Sequence, residues 1–351
     1  MKRAERKRVL SFAGVDPVKL LGVNDRNIKV IEEQYDQGIV VRGDEIILQG
    51  KSKRIEELTR VLETLIRIAA RGRVVSEGDV ITVIRGDREH PEKIKKLDET
   101  VVFYSAQRRK NVVPRSIRQK EYVEAIQHYD IVFAIGPAGT GKTYLAIAMA
   151  LAALKRGEIE RIFVSRPVVE AGENLGFLPG DLQEKIDPYL RPIYDAMREM
   201  VGMDRVQRMI DSGVLEIAPL AYMRGRTLNS SLAILDEAQN STVMQMKMFL
   251  TRLGVNAKAI VTGDITQIDL ADSRKSGLVA VKSILDGVEG IRFITFGEED
   301  VVRHRLVRRI IRAFSERAAQ GWERGNGAAT TGPSDEEPSG GVPSSVEETD
   351  E

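Results

Sequence analysis

Lys142 and Thr143 close the octapeptide Gly136-Pro-Ala-Gly-Thr-Gly-Lys-Thr143, which fits the pattern G-x-x-x-x-G-K-[ST]. The chemistry of that pattern is phosphate binding. Its glycines let consecutive backbone N–H groups turn inward around a β-phosphate, Lys142 reaches the β- and γ-phosphates, and the Thr143 hydroxyl ligates Mg²⁺. Gly136, Pro137, Ala138, Gly139, Thr140, Gly141, Lys142 and Thr143 are therefore the expected nucleotide ligands, with ATP and Mg²⁺ as the expected cofactors. By composition alone the pattern arises in about one chain in a hundred of this length. The apolar run Ile131–Ile135 before it and the long helical pattern after it supply the context that the mechanism requires.

A phosphate loop needs an acid, and Leu232-Ala-Ile-Leu-Asp236-Glu237-Ala-Gln239 supplies two at the end of an apolar strand. Asp236 is expected to hold Mg²⁺ through water, and Glu237 to polarise the attacking water. An Asp-Glu pair after a strand also arises as the favourably charged start of a helix, and the preceding phosphate loop is what tips the reading to catalysis. The next strand ends in Thr262-Gly263-Asp264-Ile-Thr-Gln267, where Gln267 stands as a sensor of the γ-phosphate or as part of a simple Gly-Asp turn. Downstream, Asp300-Val-Val-Arg303-His-Arg305-Leu-Val-Arg308-Arg309 is basic. Arg303 is the candidate arginine finger, with Arg166 and Arg274 next in line and a solvated helix face as the competing account. Upstream, Arg118-Gln119 and Tyr122 precede the first strand, which resembles ATPases that hold adenine with a glutamine and an aromatic ring.

These residues need a scaffold that brings strand ends together. Apolar strands at Ile131–Ile135, Arg161–Ser165, Val214–Pro219, Leu232–Leu235, Ala259–Thr262 and Arg292–Thr295 alternate with helical segments, which predicts a parallel sheet covered on both faces. Helices are expected from Lys142, up to Leu253 and from Glu299, and a Gly-containing mobile loop over Ala171–Leu190. Residues 9–85 read as strand, helix, strand, strand, helix. The helical stretch is Lys19 to Gln34, the hairpin Gly38 to Gly50, and the last helix, Ser52 to Ala70, has the apolar stripe Ile55, Leu58, Val61, Leu62, Leu65 and Ile66. Residues 86–115 read as a linker, 116–318 as the phosphate-loop domain, and 319–351 as a disordered acidic tail.

Composition sets the outer limits. With 351 residues, 42% of them hydrophobic, the chain can build two modest cores. The absence of cysteine excludes disulfides and thiolate chemistry, and three scattered histidines argue against zinc. No stretch has the length of a signal peptide or of a membrane span, so the expected compartment is the cytoplasm with no membrane partner. From Gly325 to Glu351 there are seven acids and no Lys or Arg, so the formal net charge of +1 hides a body of +8. Such a body suits a polyanionic partner, with RNA the expected one.

The ordered set Gln119, Gly136 to Thr143, Asp236-Glu-Ala-Gln239, Gly263-Asp-Ile-Thr-Gln267 and a late arginine motif resembles superfamily 1 helicases, here with a single RecA-like lobe. Three longer strings are similar to the PhoH-like family of bacterial P-loop ATPases: Ser165-Arg-Pro-Val-Val-Glu-Ala-Gly-Glu-Asn-Leu-Gly-Phe-Leu-Pro-Gly-Asp181, Tyr222-Met-Arg-Gly-Arg-Thr-Leu228 and Val302-Arg-His-Arg-Leu-Val307. That resemblance implies an ATP-binding cytoplasmic protein linked to phosphate starvation and RNA metabolism. The N-terminal unit resembles a KH RNA-binding domain, with Leu21-Gly22-Val-Asn-Asp25 at its helix–loop–helix region. Asp25 replaces the loop's second glycine and adds a negative charge where a nucleic-acid backbone would be clamped, so contact through this loop and use of the unit as a scaffold are both open.

The fold class expected is α/β: one RecA-like P-loop domain with a parallel sheet, a small α+β KH-like domain and the acidic tail. The activity expected is Mg²⁺-dependent ATP hydrolysis coupled to RNA remodelling or unwinding. Because one lobe cannot enclose the nucleotide, a homo-oligomer, such as a ring, is expected to complete the site. The rival is an ATP-gated binding module with little turnover, and a small-molecule kinase comes third.

Overall fold

Two sheets organise the chain in its computed structural model, which describes residues 6–89, 100–105, 107, 109–167, 182–301, 310 and 313. The first is antiparallel, in the order β1-β3-β2, from β1 (Arg6–Ser11), β2 (Ile39–Arg42) and β3 (Glu45–Gly50). Between β1 and β2 run α1 (Pro17–Leu21) and α2 (Arg26–Tyr35), and after β3 comes α3 (Ser52–Ala70). This is the succession expected of the KH-like unit. It differs from the sequence reading between β1 and β2, because Lys19 to Gln34 is not one helix. Gly22, Asn24 and Asp25 all take positive φ, 76°, 55° and 55°, which breaks the hydrogen-bond ladder. Buried Asn27 holds the break by donating from Nδ2 to the carbonyls of Leu20 and Val75, at 2.8 and 2.9 Å. The expected stripe of α3 seals the sheet: Ile55, Leu58, Val61, Leu62 and Leu65 are buried against Phe12, Ile31, Ile46 and Leu48.

A further helix, α4 (Glu77–Glu89), runs into the stretch read as a linker. Later in that stretch β4 (Phe103–Ser105) and β5 (Lys110–Val112) form a hairpin. Val102, Phe103 and Val112 are buried in the core of the next sheet, so this hairpin packs as part of the larger domain.

The second sheet has six strands: β6 (Ile131–Ile135), β7 (Arg161–Arg166), β8 (Leu215–Pro219), β9 (Ser231–Leu235), β10 (Lys258–Gly263) and β11 (Ile291–Thr295). All pairs are parallel, in the order β11-β6-β10-β9-β7-β8. The middle residues of its central strands are apolar because helices cover both faces. On one face lie α5 (Ile117–His128), α6 (Lys142–Arg156), α7 (Leu182–Val201) and α8 (Met203–Asp211); on the other, α9 (Val243–Leu250) and α10 (Gly277–Leu285). α6 is buried on most of its circumference, as its alanines allow, and ends at Gly157 in the left-handed conformation. α7 takes over the second half of the expected mobile loop. Its residues Leu190, Ile193, Met197 and Met200 recur at helical spacing and are buried, and positions 171–181 lie outside the described residues. Arg303 and the acidic tail also lie outside them. Among the described residues no helix is long and apolar enough to cross a membrane.

Candidate active site

The strand order explains the site. β10 lies between β6, which leads into the phosphate loop, and β9, which leads into the acids, so three strand ends converge on one crevice. Gly136 sits at the turn out of β6 with φ 153°, and a Cβ there would fall 2.5 Å from the Phe296 carbonyl oxygen. Gly139 and Gly141 also take positive φ, which curls the loop over the N-terminus of α6. The resulting cavity, of about 240 Å³, is lined by Ala138, Gly139, Gly141, Lys142, Thr143 and Tyr144 from the loop side. Asp236, Glu237, Gly263, Asp264 and Gln267 line it from the strand ends.

Gly136, Pro137 and Thr140 serve the lysine. Lys142 Nζ donates to the carbonyls of Gly136 and Pro137 at 2.7 and 2.9 Å and approaches Thr140 Oγ1 at 3.3 Å. The Thr143 hydroxyl donates to Asp236 Oδ1 at 2.6 Å, and buried Thr262 donates to the same oxygen at 2.6 Å. A hydroxyl and a carboxylate meeting at the mouth of a phosphate loop form a hard-oxygen pair that fits Mg²⁺, so Thr143 and Asp236 would hold the ion, which would supply positive charge to bound phosphates. Among the described residues there is no cluster of three or more His, Cys, Asp or Glu that could hold a metal.

Glu237 takes a left-handed backbone, φ 51° and ψ 40°, at the turn out of β9. Its Oε2 accepts from Gln239 Nε2 at 2.7 Å, and its Oε1 lies 3.5 Å from Arg166 Nη2. Gln239, 1% exposed, also donates to the Gln267 carbonyl at 3.0 Å and accepts from the Asp264 N–H at 3.0 Å. The Asp264 carboxylate in turn accepts from the Ala138 N–H at 3.1 Å and from Gln267 Nε2 at 2.7 Å. The Gln267 side chain, expected as a γ-phosphate sensor, is thus a cavity wall whose carboxamide is turned onto Asp264.

Gln239, Thr262 and Asp264 were missed as site residues, although all three stand in the quoted motifs. The available signal was their position: polar residues ending or following apolar parallel strands lie at the crevice by default.

Gln119 braces the loop from behind. It donates from Nε2 to the Thr140 carbonyl at 2.8 Å and accepts from the Arg115 N–H at 2.6 Å. Tyr122 departs from expectation. It is fully buried, packs edge-on against Phe296 at 5.6 Å, and donates to the Lys142 carbonyl at 3.3 Å. Burial first, and the charge of Asp236 second, push its hydroxyl well above the usual phenol range. A ring with no exposed face cannot stack on a base, so Tyr122 is the floor under the loop.

Asp300, at the start of the late arginine motif, is buried and accepts from the Gly297 N–H at 3.0 Å. Burial raises its carboxyl, while the hydrogen bonds from Ser116 and from Gly297 pull the other way. Ser116 is also the N-cap of α5, taking the Gln119 N–H at 3.1 Å, so Asp300 is tied to the helix that braces the loop. The Arg274 side chain is 89% exposed and paired with Asp272.

Residues 111–315 match the family model described as PhoH-like protein. A PhoH-like protein of Bacillus subtilis is 47% identical over 306 residues, which is 86% of this chain and 94% of that protein. A PhoH-like protein of Mycobacterium tuberculosis (strain H37Rv) is 46% identical over 302 residues, 85% of this chain and 84% of that one. Protein PhoH of Escherichia coli K12 is 47% identical over 206 residues, 58% of each chain.

Proposed function

The chain belongs to the PhoH-like protein family, and from that premise we propose that it binds ATP with Mg²⁺ and hydrolyses it, in a cycle coupled to RNA remodelling or unwinding. The observation that carries the hydrolytic reading is the meeting of Thr143 and Asp236 at 2.6 Å with Glu237 next in sequence and on the same cavity. In the proposed reaction Lys142 and the loop N–H groups bind the β- and γ-phosphates, and Thr143 and Asp236 hold Mg²⁺, which neutralises phosphate charge. Glu237 takes the proton of a water whose oxygen bonds to the γ-phosphorus as the bond to the bridging oxygen breaks, leaving ADP and phosphate. Gln267 senses the γ-phosphate by exchanging its hydrogen bond to Asp264 for one to a phosphate oxygen.

Lys142→Ala is expected to abolish nucleotide binding. Glu237→Gln is expected to bind ATP normally with kcat lowered at least about 100-fold, the usual size of a general-base contribution. Wild-type turnover by Glu237→Gln would refute the assignment of the base.

The RNA coupling rests on the basic body and on the helicase-like order of motifs. Its test is steady-state ATPase with and without single-stranded RNA, where strong stimulation supports a motor and no change argues against it. Completion of the site by a second copy, with Arg303 as the inserted charge, belongs to the same proposal, as do a cytoplasmic location and a link to phosphate starvation.

One contact favours the second reading, an ATP-gated binding module. Arg166 spans from Glu237 to the Tyr189 carbonyl on α7, at 3.1 Å, so the nucleotide site touches a surface helix directly. Negligible turnover combined with ATP-dependent partner capture would favour that module over the motor.

A further inference from the structure

Both carboxylate oxygens of Glu237 are engaged, and the two partners differ in kind. Gln239, on Oε2, is buried and fixed by its bonds to Asp264 and Gln267, so it orients the carboxylate. Arg166, on Oε1, makes that 3.5 Å ion pair and, among the described residues, one hydrogen bond to the Tyr189 carbonyl, and its side chain is 20% exposed. Its position is set by the sheet. Ser165 pairs with Leu235 across β7 and β9, and the Asp236 N–H donates to the Ser165 carbonyl at 2.9 Å, so Arg166 emerges beside Asp236 and Glu237. Strand alternation puts it on the face of Ile162 and Val164, which is the face packed by α6 and its phosphate loop.

Resting on the ATPase reading above, we propose that Arg166 is a catalytic arginine acting in cis. With ATP in the loop, its guanidinium transfers from Glu237 Oε1 to the γ-phosphoryl oxygens. A phosphoryl group carries more charge than one carboxylate and matches the guanidinium fork, so it competes effectively for this cation. One movement then does two things: it brings positive charge to the transferring group, and it uncovers the oxygen that accepts the proton of water. Gln239 keeps that oxygen aimed throughout. Such an arginine is compatible with a second one from a neighbouring copy and makes the chemistry of each lobe less dependent on it.

The test uses the full chain carrying Arg166→Ala, Arg166→Lys and Arg166→Gln, the last keeping an N–H donor for the Tyr189 carbonyl. All three are compared with wild type by thermal unfolding, ATPase kinetics, and affinity for ADP alone and for ADP with aluminium fluoride. Arg166→Ala and Arg166→Gln are expected to lose about 10²- to 10³-fold in kcat, as when a charge on the transition state is removed. Affinity for ADP should stay near wild type while affinity for the aluminium fluoride complex falls by a comparable factor, and Arg166→Lys should recover part of both.

Mixing Arg166→Ala with Glu237→Gln chains should give no more activity than the two separately. Equal losses of ADP and aluminium fluoride affinity would reduce Arg166 to a structural role, and activity regained on mixing would place it in trans; either result overturns the proposal. Normal kcat in Arg166→Gln, in a protein whose Glu237→Gln variant is inactive, would remove this inference alone. A wild-type protein without ATPase activity would remove it together with the reading it rests on.

Discussion

Tyr122 separates two ways in which the chain could hold its nucleotide. As a base-stacking ring it would need an exposed face; as the floor of the loop it needs only its volume and one hydrogen bond. The structure favours the floor, since the ring is fully buried against Phe296 beneath Lys142. Tyr122→Phe is therefore expected to bind ATP like wild type and to lose no more than about 1 kcal/mol of stability, the worth of an ordinary hydrogen bond. Tyr122→Ala should lose about 3–5 kcal/mol, as large core truncations do. Thermal unfolding together with titration of a fluorescent ATP analogue checks both. A large loss of ATP affinity in the phenylalanine variant would show that the hydroxyl itself matters to the nucleotide.

At the scale of elements, the β6 to α6 connection decides whether the site exists. Its first glycine combines a φ of 153° with a carbonyl 2.5 Å from where a Cβ would stand, and that carbonyl belongs to Phe296 just beyond β11. Gly136→Ala therefore has to displace the backbone of a neighbouring strand end or the loop. It is expected to destabilise by about 2 kcal/mol, within the range for strain at special backbone positions, and to weaken ATP binding at least tenfold. Retained affinity after this substitution would mean that the loop relaxes independently of β11. The acidic turn after β9 depends likewise on β10, because Thr262 and Asp264 supply the hydrogen bonds that hold Asp236 and Gln267. α7 depends on α6, and through Arg166 it also touches the acid of the site.

At the scale of the whole molecule, charge and assembly are the properties to measure. The acidic segment from Gly325 leaves a body of +8, so any RNA stimulation of the ATPase should fall steeply with salt as counterion release is lost. Truncation before Gly325 should strengthen RNA binding, and salt-independent stimulation would argue against an electrostatic contact. Size-exclusion with light scattering, with and without ATP and Mg²⁺, tests the second copy. An ATP-dependent assembly is expected, and a monomer that hydrolyses ATP at full rate would rule out completion in trans while leaving Arg166 as the cation supplied in cis.

The sequence determined the phosphate loop, its acids and the parallel strands, because each is written in short local patterns: glycine spacing, an apolar run, a carboxylate at its end. Strand bounds inferred from those runs agree with the observed ones to within about one residue, the uncertainty inherent in any element end. Tertiary structure alone decided what the polar residues between the motifs do. Gln239, Asp264 and Gln267 form one network, and Arg166 faces Glu237, because a six-stranded order with β10 inserted between β6 and β9 brings positions far apart in the chain into hydrogen-bonding distance. The burial of Tyr122 was likewise beyond the sequence, since an aromatic residue on a helix near a phosphate loop has the same local pattern whether its ring faces a base or the core. The break between α1 and α2 has the same origin: Asn27 holds it through Val75, a partner 48 residues away that no local window contains.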